Sequence, residues 1–354
     1  MKLSVPANWD DAFIESLSPQ KAAEVRGKAE AGLKARHAGH IRAVRAKGFS
    51  FNYLLDEACL DNREWGRNWQ RGIENLLDRL AACGADRLTV SVPYLLELIK
   101  KRFPLFKVNV SGSAHIDCAA RARLWLELGA DSLTLSSVRV NRDFGLLKSI
   151  RAAVSCELRL SANTPGLLNC PFSFHHPFFG AHRSGAKTAL FDYDLAGCRR
   201  IYLCDPAMLL KATWIRPEDA GFYNRLGADM LELSGSSLPE ERLKILIDAY
   251  YQGAYRGNLF DLLLWENKTE AGKDVFRVDN AKLDGFIEKL YQSGCNGAAC
   301  GECRFCAEKA REAVEFDEEE RLYAFKRQED ILKELLPPRG GERCGGDCGG
   351  DSPW

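Results

Sequence analysis

The chain has 13 cysteines, and four of them are crowded together near its C-terminal end. Cys295, Cys300, Cys303 and Cys306 follow the spacing C-x4-C-x2-C-x2-C. Thiolates this close can wrap one tetrahedral zinc ion or one iron–sulfur cube, and ligand type alone does not separate the two. Gly297 and Gly301 let the chain turn around such a centre. The remaining cysteines are dispersed. Cys59 follows the first candidate strand, and Cys170 lies in a stretch rich in Pro, Phe, His and Gly. Cys198 and Cys204 flank a later candidate strand. Cys83, Cys118 and Cys156 read as small buried hydrophobes. The N-terminus lacks the apolar region of a signal peptide, and no segment approaches the roughly 18 apolar residues of a membrane span. A reducing cytoplasm is therefore expected, where clustered thiols serve metals rather than disulfides.

Other groups suit acid–base or binding chemistry. His175, His176 and His182 crowd the stretch 164–197, and His176 is the candidate ligand or proton carrier among them. Glu157 and Arg159 lie one pleat apart and face the same side of a strand, so in an interior they must pair or meet substrate. Arg183, Arg199, Arg200 and Arg216 are candidates for gripping a carboxylate through two parallel hydrogen bonds. Asn52, Asn109, Ser111, Ser136, Asn163, Asp205 and Glu232 fall at or near the C-terminal ends of candidate strands. The chain holds no G-x-S-x-G elbow, no H-E-x-x-H and no phosphate-loop lysine motif. Lysines and arginines balance aspartates and glutamates at 49 each. No bulk basic field is present to attract RNA, so nucleic-acid contact would need a local patch.

These residues need a scaffold, and the pattern supplies one. Short β-rich segments at 48–55, 86–92, 106–111, 131–136, 155–161, 199–204, 229–234 and 259–265 alternate with amphipathic segments. The helix candidates are 67–82, 94–102, 115–128, 142–152, 217–226 and 239–253. Eight strands alternating with helices predict a (β/α)8 TIM-type barrel. A Gly-Ala-Asp joint recurs at residues 84–86, 129–131 and 227–229, each time after an apolar helix and before a strand. The expected organisation has four parts. They are an N-terminal helical arm at 1–47, a barrel at 48–267 with a mouth insertion at 164–197, a cysteine-rich metal-binding and helical appendage at 268–335, and a Gly-rich disordered tail at 336–354.

The stretch from about residue 48 to 306 resembles the U32 peptidase-like family. The resemblance is carried by FNYLLDEACLDN, VSVPYLLELIKKRFP, LGADSLTLSS, VNRDFGLLKSIR, CELRLSANTPGLLNCPF, WIRPED and LDGFIEKLYQSGCNGAACGECRFC. Within the family it looks like the branch containing the anaerobic ubiquinone-biosynthesis iron–sulfur protein. That resemblance implies a barrel holding a four-iron, four-sulfur cluster, with Cys59, Cys170 and Cys198 matching ligands. The fourth ligand position holds Asp194 instead of cysteine, and Cys204 is an alternative. The implied activity is an oxygen-independent hydroxylation of a small aromatic molecule or an RNA base, with prephenate as oxygen donor. Two further readings stand beside it: a non-catalytic iron–sulfur subunit paired with another family member, and the peptidase activity of the family name.

Overall fold

The computed structural model describes residues 2–4, 38–178, 192–235, 238–265, 267–269 and 272–336. Its centre is a parallel sheet of seven strands: β1 (Lys2–Ser4), β2 (Asn52–Leu55), β3 (Arg87–Val90), β4 (Lys107–Val110), β5 (Ser132–Thr134), β6 (Glu157–Ser161) and β7 (Met230–Glu232). The spatial order is β1-β7-β6-β5-β4-β3-β2. A parallel sheet needs crossovers, and amphipathic helices supply them. These are α1 (Arg67–Ala82), α2 (Pro93–Arg102), α3 (Ala119–Glu127), α4 (Ser137–Val140) and α5 (Phe144–Ala153). Helix α1 shows the logic: Ile73, Leu77 and Leu80 recur at helical spacing and are buried. Proline opens α2 where its missing N–H costs nothing, and Lys100, Lys101 and Arg102 crowd its C-terminal turn, where the helix dipole favours cations.

The repeated Gly-Ala-Asp joint has a mechanical role. Gly84, Gly129 and Gly227 take φ values of 88°, 107° and 107°, the left-handed conformation that ends a helix. Each following alanine is buried. Each aspartate then accepts the backbone N–H of a neighbouring strand or its lead-in: Phe51 to Asp86, Val108 to Asp131 and Leu158 to Asp229, all at 2.8 Å. A cation meets each carboxylate as well: Arg45 on Asp86, Lys100 and Lys107 on Asp131, and Arg151 on Asp229. The joint thus sets register between neighbouring strands.

The expected closed eight-stranded barrel is corrected to an open sheet. Among the described residues β1 pairs only with β7 and β2 only with β3, so the two edges do not join. Two candidate strands have other structures. Residues 199–204 end the helix α6 (Tyr193–Cys204), which Asp192 caps by accepting the Leu195 N–H at 2.9 Å. Cys198 and Tyr202 fall one turn apart on its buried face. Residues 259–265 open as a 3-10 turn, with Asn258 accepting the Phe260 N–H at 3.2 Å. The N-terminal arm is not wholly helical either. Residues 2–4 form β1, and helix is described at 38–46.

The cysteine-rich segment is no separate appendage. Further helices are α7 (Ala207–Lys211), α8 (Ala220–Arg225), α9 (Glu240–Gln252), α10 (Phe286–Gln292), α11 (Phe305–Ala313) and α12 (Glu318–Leu335). Helix α11 packs on α7, and α12 packs on α6. Cys306, Ala310 and Ala313 join the main core, and Phe305 stacks on Phe286 at 5.5 Å. A small antiparallel pair, β8 (Phe276–Val278) with β9 (Val314–Phe316), ties this region down. Among the described residues no helix is long and apolar enough to cross a membrane.

Candidate active site

The strands place short polar side chains on one face of the sheet, and these connect sideways. Asn52 donates to Thr89 Oγ1 at 2.9 Å, and Asn109 donates to Thr134 Oγ1 at 2.9 Å. Ser132 donates to Asn109 Oδ1 at 3.0 Å. The Thr134 hydroxyl then donates to Glu232 Oε1 at 3.0 Å, and Arg159 Nη1 reaches the same oxygen at 3.3 Å. Arg159, only 2% exposed, also grips Glu157 Oε1, with Nε at 2.9 Å and Nη2 at 2.7 Å. Glu157 and Arg159 therefore share a face and form an ion pair, with Glu232 on the other side of the guanidinium. A buried cation between two carboxylates avoids the cost of an unpaired charge.

Above this network, at the C-terminal ends of the strands, opens a cavity of about 550 Å3. That size suits a small-molecule or short-chain ligand. Asp56, Ser111, His115, Ser136, His176 and Glu232 are among its lining residues. Glu232 presents one oxygen to Thr134 and Arg159, while Oε2 has no protein partner among the described residues. Burial pushes the Glu232 carboxyl above the ordinary glutamate value, against the opposing pull of Arg159 and Thr134. Burial likewise raises Asp56, against the opposing pull of its own backbone N–H and of the Ser111 hydroxyl at 3.5 Å. His115 ends a 3-10 turn in the left-handed conformation, φ 51°, and packs on Phe174 at 4.3 Å. Burial, then the Arg121 charge, hold its imidazole below the usual value, so it is neutral at pH 7. Among the described residues, the buried Nε2 atoms of His115 and His176 have no hydrogen-bond partner.

Of the residues singled out from sequence, this cavity gathers His176, Glu232, Asn52, Ser111 and Ser136. Glu157 and Arg159 lie beneath it. Asn163 instead braces the backbone, donating to the Ser234 carbonyl at 2.6 Å. Asp205 accepts the Ala207 N–H at 2.9 Å at the end of α6. Among the described residues no arginine lines the mouth cavity. Arg216 is sunk in a network with Asp219 at 2.9 Å and Asp284 at 3.1 Å. Arg199 lines a different cleft, beside Trp265 and Arg327. His182 and Arg183 lie outside the described residues, as do residues 5–37 and the tail beyond 336. Asp56 and His115 were missed. Asp56 directly follows β2 and could have been found by the strand-end rule. His115 sits past a turn and carries no such signal.

The cysteines do not converge as expected. Among the described residues no group of three or more His, Cys, Asp or Glu side chains could hold a metal ion. Cys59 stays in its own loop after the edge strand β2, accepting the Asp61 N–H at 3.3 Å. The Cys198 thiol donates to the Cys170 sulfur, which keeps Cys170 below the usual thiol value; that bond, with burial, drives Cys198 up. Asp194 lies one turn before Cys198 on α6, close enough for its charge to oppose ionisation of Cys170. Cys204 ends the helix and does not share the buried face of Cys198. Cys295 and Cys300 are half-buried, Cys303 is exposed and Cys306 is buried. Burial pushes the Cys306 thiol up to about 12. The expected four-iron, four-sulfur cluster, and the second cluster or zinc at the C-terminal cysteines, are corrected accordingly.

A curled parallel sheet with a polar cavity at its C-terminal edge is the usual setting for an enzyme site. No family model matches the chain. It is 31% identical over 278 residues to an uncharacterized protease of Methanocaldococcus jannaschii, covering 78% of this chain and 81% of that protein. Among solved structures, a U32 peptidase is similar at a TM-score of 0.43 and 23% identity, over 57% of this chain and 76% of the other. A 4-hydroxy-tetrahydrodipicolinate synthase of Methylacidiphilum fumariolicum is similar at a TM-score of 0.27 and 13% identity, over 81% of this chain and 99% of the other. The chain belongs to the U32 peptidase family, on the strength of the archaeal relative. The hydroxylase reading is overturned: that relative is named a protease, and no metal-holding group converges among the described residues. The particular likeness to an iron–sulfur ubiquinone-biosynthesis branch has no support in these comparisons.

Proposed function

We propose that the chain is a U32-type peptidase that hydrolyses amide bonds in the mouth cavity, with Glu232 as the proton-handling carboxylate. The observation that carries this reading is the half-held state of Glu232. Thr134 and Arg159 fix one oxygen, and the other has no partner among the described residues. A carboxylate so placed can accept a proton from water as the water oxygen attacks the amide carbon. The same carboxyl then returns that proton to the leaving nitrogen as the C–N bond breaks. The elevated carboxyl value suits both halves, since an acid–base group works best when its pKa approaches the working pH. Ser136, buried at the cavity wall, offers a hydroxyl to the carbonyl oxygen as negative charge develops there. Arg159 and Glu157 act as positioning residues. His176 lines the same cavity.

Nucleic-acid binding at the mouth has no support among the described residues. Among its described lining residues there is no lysine or arginine, so nothing there neutralises a phosphate backbone. The test is cleavage of a mixed-sequence peptide library, read by mass spectrometry, for the parent protein and Glu232→Gln. Cleavage by the parent and a loss of about 100-fold or more in the variant is expected. Equal cleavage by both would remove Glu232 from the chemistry, and no cleavage by either would remove the peptidase reading.

A further inference from the structure

Among the described residues, the ion pairs around the mouth leave Asp56 out. Arg159 lies between Glu157 and Glu232, and Arg87 Nη1 approaches Glu157 at 3.9 Å. Each of these glutamates thus faces a guanidinium. Asp56 has no ion pair among the described residues, and its side chain has the Ser111 hydroxyl as hydrogen-bond partner. The other cavity-facing groups are also suited to accepting hydrogen bonds. Ser111 caps the 3-10 turn that ends at His115, so Asp56, Ser111 and His115 face the cavity from adjoining segments. The neutral His115 ring leaves its buried Nε2 without a partner among the described residues. Among the described lining residues an anionic ligand group would meet two carboxyls and no lysine or arginine.

We propose that the mouth selects a substrate bearing a positively charged nitrogen, and that Asp56 is its counter-ion, with Ser111 and His115 as neighbouring hydrogen-bond partners. This specificity rests on the peptidase reading of the cavity. The ligand chemistry is an ammonium or guanidinium. It has two sources in a peptide, the free N-terminus or a basic side chain. An ion pair partly removed from water at such a site discriminates, because a neutral rival leaves the half-buried carboxylate without a counter-ion.

Binding, rather than turnover, separates the two claims. Glu232→Gln protein would be titrated by calorimetry with three peptides of equal length. The first has a free N-terminus and no Lys or Arg. The second is N-acetylated and carries one Lys. The third is N-acetylated and carries no basic residue. One of the first two is expected to bind at least about 10-fold more tightly than the third. Preference for the first assigns the α-ammonium, and preference for the second assigns the side chain. Adding Asp56→Asn should level the three affinities, with circular dichroism confirming that the double variant is folded. Equal binding of all three peptides, binding of none, or a preference that survives Asp56→Asn would overturn the assignment. Failure of the parent protein to cleave any peptide, with the charge preference intact, would instead refute only the peptidase reading.

Discussion

Asp56→Asn should make the protein more stable at neutral pH while weakening its site. In the folded chain, burial raises the Asp56 carboxyl above its ordinary value of about 3.9. Between the unfolded and folded values, the native state binds more protons than the unfolded state. Stability contributed by this group therefore falls as pH rises through that window, and the full penalty is present above the folded value. Each unit of such a shift is worth about 1.4 kcal/mol. Asparagine keeps the hydrogen bond from Ser111 and removes the charge. Because Asp56 is half-buried and retains one hydroxyl partner, a net gain of about 1 kcal/mol is expected. In a chain of 354 residues that is a rise in Tm of roughly 2 °C. Differential scanning calorimetry of both proteins from about pH 4 to pH 8 would show the curves separating as pH rises and converging in acid. A variant that melts lower at neutral pH, or a gap independent of pH, would refute the reasoning. The first result would mean that the native carboxylate is already paired, and the second that charge is not involved.

Three other outcomes follow from the same geometry. Burial pushes Asp131 up, but Lys100, the Val108 N–H and Lys107 outweigh it and hold the carboxyl below its ordinary value. Asp131→Ala should thus cost about 2–3 kcal/mol at neutral pH by urea denaturation, and the deficit should shrink as pH falls through the folded value; a loss that persists unchanged in acid would count against the ion-paired cap. Gly227→Ala should destabilise by about 1–2 kcal/mol, since φ is 107° and the new Cβ would run into the Arg151 side chain; an unchanged urea midpoint would show that the joint relaxes. Iodoacetamide followed by peptide mapping should label exposed Cys303 well before Cys306, which is buried and pushed up to about 12, whereas equal rates would contradict the described burial.

Much of the parallel-sheet unit was legible in the linear pattern, because its causes are local. Helix α1 matches the expected 67–82 because Ile73, Leu77 and Leu80 repeat at 3.6-residue spacing. Six of the expected strands coincide with β2 to β7, where β-rich runs alternate with amphipathic helices. The Gly-Ala-Asp joint was visible as a repeat, although the pairing of its aspartate with an N–H of the preceding strand or its lead-in was not. The pattern could not separate RRIYLC as a strand from the same residues as the end of α6. A short apolar run fits either period, and the Asp192 cap together with packing against α12 decides it. Glu232 was legible as a strand-end residue, but not as the carboxylate held by Arg159.

Composition and spacing by themselves determined residue types, element periods and the turns that need glycine, since each depends on neighbours along the chain. Only the tertiary structure decided whether the sheet closes, which thiols meet and which carboxylates remain unpaired. Those properties depend on distance through space. Cys59 and Cys170 have the same side chain, yet one binds its own loop backbone and the other the thiol of Cys198. Asp56 and Asp131 likewise differ by surroundings alone: two lysines lower Asp131, whereas burial without a cationic partner raises Asp56.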